Sequence, residues 1–201
     1  MAGLTGQRIA SDAARWAGQG YVYGGTATQP GDWDCSSFVS YVLGHDLGMT
    51  LPGGVKFGGP GAPPSEHGPV VTDYATWVDT TAVATPAAGD LCCWTGLGPD
   101  GHIGIALSAT RMVSALNGTD GTVITPIQGT GPAGAPLTFR RLTGVVPGMG
   151  AGSARAMQQA TVNAAGLVLG SLALAVGAVI LAAAGAVVVA GMLARRALPS
   201  S

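Results

Sequence analysis

Charge is scarce in this chain. Charged side chains make up 9% of its 201 residues, lysine occurs once, as Lys56, and nine Lys and Arg stand against ten Asp and Glu. That balance provides no basic field to neutralise phosphates, so nucleic-acid binding by charge is excluded. Cysteine is sparse too. There are three, two of them the neighbours Cys92 and Cys93; an odd count with an adjacent pair makes no disulfide framework, and the thiols read as reduced. The opening residues lack the charged start, apolar core and small-residue cleavage site of a secretory signal, so no amino-terminal signal peptide is expected.

What the chain has in excess is glycine (34), proline (13) and apolar side chains (47%). The apolar excess is concentrated late: no charge falls between Ala164 and Ala194. As a helix at ~1.5 Å per residue that stretch is about 46 Å long, against ~30 Å for a hydrocarbon slab. The expectation is a membrane-crossing helix over 163–194, joined by a flexible Gly-rich linker, 148–162, to a domain over 1–147, and closed by a short basic tail, 195–201. The steps Gly166/Gly170 and Ala173/Gly177 permit close helix approach and hence a homo-oligomer through this segment. Arg195 and Arg196 favour a cytoplasmic location for that end. A helix enclosed by protein neighbours fits the same apolar circumference.

Within 1–147 the pattern changes from helical to extended. Apolar spacing predicts a first helix over about 5–17 and a second that starts at Asp34, a good N-cap, and runs through Phe38, Val39, Val42 and Leu43 to Gly44. Residues 48–70, full of Gly and Pro, read as a long loop, and Asp73–Val78 as a short helix. Strands are expected at 90–94, 102–107, 111–116, 122–127 and 137–145, forming an antiparallel meander. The class is α+β, with N-terminal helices packed on a sheet.

Cys35 directly follows the N-cap Asp34, where free backbone N–H groups favour a thiolate; the plainer reading is a small buried hydrophobe. His102 opens a strand after the turn Gly98–Gly101, on the face opposite Ile103, Ile105 and Leu107, where a solvated imidazole is the plainer reading. Together they match the arrangement in which a thiol nucleophile meets its base. Asp32 and Asp34 suggest paired acids less well than they suggest a cap. Cys92 and Cys93 point to opposite faces of one strand and read as packing residues. His45 and His67, in loops, are too few for a metal site, and no cofactor is implied.

Four motifs in order, Tyr21-Val22-Tyr23-Gly24-Gly25, Trp33-Asp34-Cys35-Ser36-Ser37-Phe38-Val39, Gly89-Asp90-Leu91 and Gly101-His102-Ile103-Gly104-Ile105, resemble those of the NlpC/P60 cysteine peptidases, over roughly residues 7–145. The resemblance implies a papain-like domain that hydrolyses amide bonds in peptidoglycan stem peptides, commonly between D-glutamate and a diamino acid. It implies Cys35 as nucleophile and His102 as base. It also implies an oxyanion role for Tyr21, although two extra residues separate it from the cysteine here. The family's third polar residue, usually histidine, stands twelve positions after the base; here that position is Ser114, with Asn117 nearby as an alternative. The wording Met112–Asn117 is similar to actinobacteriophage members, which implies a phage tail or virion location and tail proteins as partners. A catalytically weakened wall-binding module is a second reading. A thiol acyltransferase or phospholipase is a third, disfavoured because in those enzymes the histidine precedes the cysteine.

Overall fold

The computed structural model describes residues 4–58, 67–96 and 101–146. The linker, apolar helix and basic tail expected over 148–201 lie outside the described residues. Among the described residues no helix is long and apolar enough to cross a membrane.

Helix α1 (Gly6–Ala14) is capped by Thr5, whose Oγ1 accepts the Arg8 N–H at 3.2 Å. It buries Ile9, Ala10, Ala13 and Ala14. The helix ends short of the expected residue 17. Trp16 and Ala17 make tighter bonds to Ala13 and Ala14, the Trp16 indole N–H donates to Asp46 at 2.7 Å, and Gly18 turns away with a φ of +93°. Helix α2 (Cys35–Ser40) continues into a π-helical turn, Tyr41–Asp46, at which the expected regular helix to Gly44 widens. Gly44 sits where a Cβ would meet the Phe57 side chain at 2.6 Å. Helix α3 (Val71–Ala75) is two residues earlier than predicted, because Asp73 accepts the Val70 N–H at 2.8 Å and fixes its first turn.

Among the described residues six antiparallel strands form one sheet: β1 (Thr80–Val83), β2 (Leu91–Trp94), β3 (His102–Ala106), β4 (Arg111–Asn117), β5 (Gly121–Pro126) and β6 (Leu137–Leu142), in the order β1-β6-β2-β3-β4-β5. The simple meander expected from sequence holds for β2 to β5 only. β6 returns to insert between β2 and β1, and β1 itself was not anticipated. Its ladder is reinforced by Arg140, which donates to Thr80 Oγ1 and to the Trp77 and Thr80 carbonyls.

Both faces of the central strands are covered. Toward the helices, Leu91, Cys93, Ile103, Ile105, Val113 and Ala115 join the main core; on the other face Cys92, Trp94, Ala106, Met112 and Ile127 form a smaller cluster. Cys92 and Cys93 thus pack on opposite faces, each fully buried. One glycine locks helix to sheet: Gly89, just before β2, has a φ of +88°, and a Cβ there would lie 2.4 Å from the Gly6 Cα at the start of α1. No other residue fits.

Candidate active site

Trp33, Asp34 and Cys35 form the hinge on which the site is built. Trp33 is completely buried, its ring 5.8, 5.4 and 5.1 Å from those of Trp16, Phe38 and Tyr41, and its indole N–H donates to Thr122 Oγ1 at 2.8 Å. The next residue turns the chain into α2. Asp34 Oδ1 accepts the N–H groups of Ser36 and Ser37, each at 3.0 Å, while Ser37 Oγ accepts the Asp34 N–H at 2.9 Å. This reciprocal cap holds the first turn of the helix. Cys35 is its first residue, partly exposed.

The Cys35 thiol lies against the start of β3, donating a long bond of 4.0 Å to the Gly101 carbonyl. The following residue is His102. It is buried at 6% exposure, on a strand hydrogen-bonded to neighbours on both sides rather than solvated at a rim, which corrects the plainer sequence reading of this residue. Its ring rests 5.6 Å from that of Trp94, and Nε2 lies 3.1 Å from Ser114 Oγ. Ser114 is fully buried, and the space facing it is kept by Gly104, where a Cβ would stand 3.0 Å from the Ser114 Cβ.

Of the two residues read as alternatives for the third position, Ser114 is the one at hydrogen-bond distance from the imidazole. Asn117 is exposed at the β4–β5 turn, where its Oδ1 accepts the N–H groups of Thr119 and Asp120 and its amide donates to Asp120. Its amide is committed to that turn. Tyr21 lines the same cleft as Cys35 and packs partly buried against the core.

Cys35 lines two neighbouring cavities. One, of about 330 Å3, is bounded among the described residues by Tyr21, Tyr23, Cys35, Gly101, His102, Leu116 and the 130–132 segment. The other, of about 340 Å3, shares Tyr21, Tyr23, Cys35 and Gly101 with it and adds Asp34, His67, Val70, Thr72 and Trp94. A larger depression, about 550 Å3, beside Pro52, Val55 and Trp77 includes none of these groups.

Burial, then the Asp34 charge, pushes the Cys35 thiol up to about 11. Burial pushes the His102 imidazole down to about 4. The Tyr21 hydroxyl is pushed up to about 12, again mainly by burial. At neutral pH the sulfur, the imidazole and the phenol are therefore all uncharged, which suits a base that removes the thiol proton during attack rather than a standing ion pair.

His67 was not foreseen as part of this site. It reaches the cleft from the far end of the 48–70 loop, and its Nε2 donates to Asp34 Oδ2 at 2.6 Å. No local pattern around it signals this contact. Among the described residues no cluster of three or more His, Cys, Asp or Glu could hold a metal ion.

The NlpC/P60 family model matches residues 18–141. The chain belongs to the NlpC/P60 family. It is also similar to the crystal structure of the NlpC/p60 domain of the peptidoglycan hydrolase SagA, at 24% identity and a TM-score of 0.47, over 67% of this chain and 97% of that one. No curated protein matches it. Within this NlpC/P60 domain, the matched span begins at Gly18 and ends at Arg141 in β6, so it includes every residue of the cleft named above.

Proposed function

We propose that this protein is a cysteine peptidase that hydrolyses an amide bond in peptidoglycan stem peptides, on the D-glutamyl–diamino acid linkage implied by the family resemblance. The observation that carries the reading is a cysteine at the start of α2 and an imidazole at the start of β3 lining one cavity, with a second cavity that shares the cysteine. With Nε2–H donating to Ser114, Nδ1 is the nitrogen left to accept the Cys35 proton. The sulfur attacks the carbonyl carbon, and the imidazolium then returns its proton to the leaving amine; water hydrolyses the thioester by the same base. The Cys35 backbone N–H and the Tyr21 hydroxyl are the proposed donors to the oxyanion. Delivery by a phage tail, with the 163–194 segment entering a membrane or packing in the tail, completes the proposal.

The decisive test is incubation of the full chain with purified peptidoglycan, followed by labelling of new amino termini and mass spectrometry. New termini within the stem peptide, suppressed by prior alkylation of Cys35, support the reading. Intact stem peptides overturn it and favour the wall-binding module, the reading to which the short Ser114 side chain lends support.

Two further outcomes follow from the site. Ser114→Ala removes a neutral partner of Nε2, a loss of ~1.4 kcal/mol in orientation, and should lower kcat about tenfold with KM unchanged. Steady-state kinetics on a stem-peptide substrate check this; an unchanged kcat would show that the hydroxyl does not orient the ring. The base becomes inactive only when protonated, so with His102 at about 4 the acid limb of kcat/KM should fall near pH 4, not at the ordinary histidine value of ~6.5. A pH–rate profile with its acid limb above pH 6 contradicts the buried, neutral imidazole.

A further inference from the structure

Asp34 is more than a helix cap. Its Oδ1 takes the first N–H groups of α2, while its Oδ2 accepts the Gly24 N–H at 3.3 Å and His67 Nε2 at 2.6 Å. One carboxylate thereby joins the loop carrying Tyr21, the helix carrying Cys35 and the end of the 48–70 loop. It is 7% exposed and adjacent in sequence to the sulfur. A buried anion in that position opposes any negative charge developing on Cys35. Among the described residues the ion pair it makes is with His67. The arginine ion pairs of the domain are made with other carboxylates: Arg15 with Asp12 and Asp46, and Arg141 with Asp90.

We infer that His67 is a positioning residue for the thiol chemistry: seated on Asp34 as an imidazolium, it supplies the countercharge that keeps the capping carboxylate from opposing ionisation of Cys35. This rests on the reading of Cys35 as the nucleophile. The titration of the pair agrees with the geometry. The bond to Asp34, against the effect of burial, raises His67 above its ordinary value; burial would raise Asp34, but His67 and the helix N–H groups outweigh it and hold the carboxyl low. Among the described residues, the titratable and aromatic groups that line the cavity with His67 are Tyr21 and Tyr23 from the 21–24 loop, Asp34 and Cys35 from the start of α2, and Trp94 at the end of β2. The Asp73 carboxylate of α3 is bonded to the Val70 N–H, and His102 lines the adjoining cavity with Cys35. The countercharge is present below the raised value of His67 and disappears as pH rises through it, while the base is available only above about 4. The two imidazoles therefore set opposite limbs of one pH window.

Iodoacetamide alkylation of Cys35 in the full chain, followed by mass spectrometry across pH, tests the inference without any substrate; the fully buried Cys92 and Cys93 act as internal controls. His67→Gln keeps a hydrogen bond to Asp34 but no charge, and His67→Lys keeps a charge. Each unit of rise in the Cys35 titration cuts the thiolate tenfold and slows alkylation at pH 7 by about threefold, because the more basic thiolate is also the better nucleophile. The expectation is a slowing of about threefold or more in His67→Gln, largely restored in His67→Lys, with the high-pH change of slope seen in the wild type missing from His67→Gln. Equal rates in wild type and His67→Gln overturn the inference, as does equal slowing in both variants, which would assign His67 a merely structural contact. A chain that fails to cleave peptidoglycan but shows this alkylation pattern refutes the proposed function and leaves the inference standing; a peptidase whose alkylation ignores His67 does the reverse.

Discussion

Cys35→Ala should reduce stem-peptide hydrolysis by at least about 10^4-fold in kcat, because among the described residues Cys35 is the one thiol lining the two cavities and the residues of such a unit act together. His102→Ala should cost nearly as much at neutral pH, and the reason is quantitative. With the thiol pushed up to about 11, roughly one molecule in 10^4 carries a thiolate at pH 7 without a base to take the proton. The variant should therefore lose about 10^3- to 10^4-fold and recover about tenfold per pH unit as the medium becomes alkaline. The double variant should be no worse than Cys35→Ala alone. Single-turnover assays from pH 6 to 10 measure all three, and a flat pH response in His102→Ala would contradict the assignment of the imidazole as the base.

The largest loss of stability is expected at Trp33. Its side chain is wholly buried among three aromatic rings and hydrogen-bonded to Thr122 on β5, so it joins the segment ahead of α2 to the far strand of the sheet. Trp33→Ala opens a cavity beneath the N-cap and should destabilise the domain by about 3–5 kcal/mol. For a domain of this size that is a fall in Tm of roughly 10–20 °C. Trp33→Phe retains most of the buried surface and should lose less. Thermal unfolding followed by near-ultraviolet circular dichroism distinguishes these outcomes; a loss below about 1 kcal/mol in Trp33→Ala would mean that the aromatic cluster is not the support of the hinge.

Local chemistry explains which parts of this structure are legible in the sequence. The start of α2 is legible because Asp34 and Ser37 satisfy each other within one turn, and strands β2 to β5 are legible because each is a short apolar run bounded by Gly-rich turns. Strand β1 is not, since its four residues bury only Thr80 and owe their conformation to Arg140, sixty positions away. At the π-helical turn Gly44 packs against Phe57, thirteen residues further on, and the place of β6 depends on pairing across the whole domain. In the site, Ser114 is singled out by the family resemblance, which places the third polar residue twelve positions after the base, and its hydroxyl lies at hydrogen-bond distance from the His102 ring. Asn117, the alternative to Ser114, is held in a turn that its own context spells out: Asn followed by Gly, Thr and Asp is a turn in which the side chain bonds the backbone ahead of it. His67 reaches Asp34 from thirty-three residues away through a Gly- and Pro-rich loop, and no periodicity records such a contact.

The position of β6 has a consequence for how the protein is made. Strand β2, which carries Trp94 against the His102 ring, is flanked by β3 and by the last strand of the domain to leave the ribosome. Until Leu137–Leu142 has been synthesised, the run Leu91–Trp94 presents an open edge, and its side chains are those that the finished sheet buries on both faces. An edge of that kind is a template for pairing with other chains. Chains whose translation stops between β5 and β6 are thus expected to pair strands between molecules at this edge.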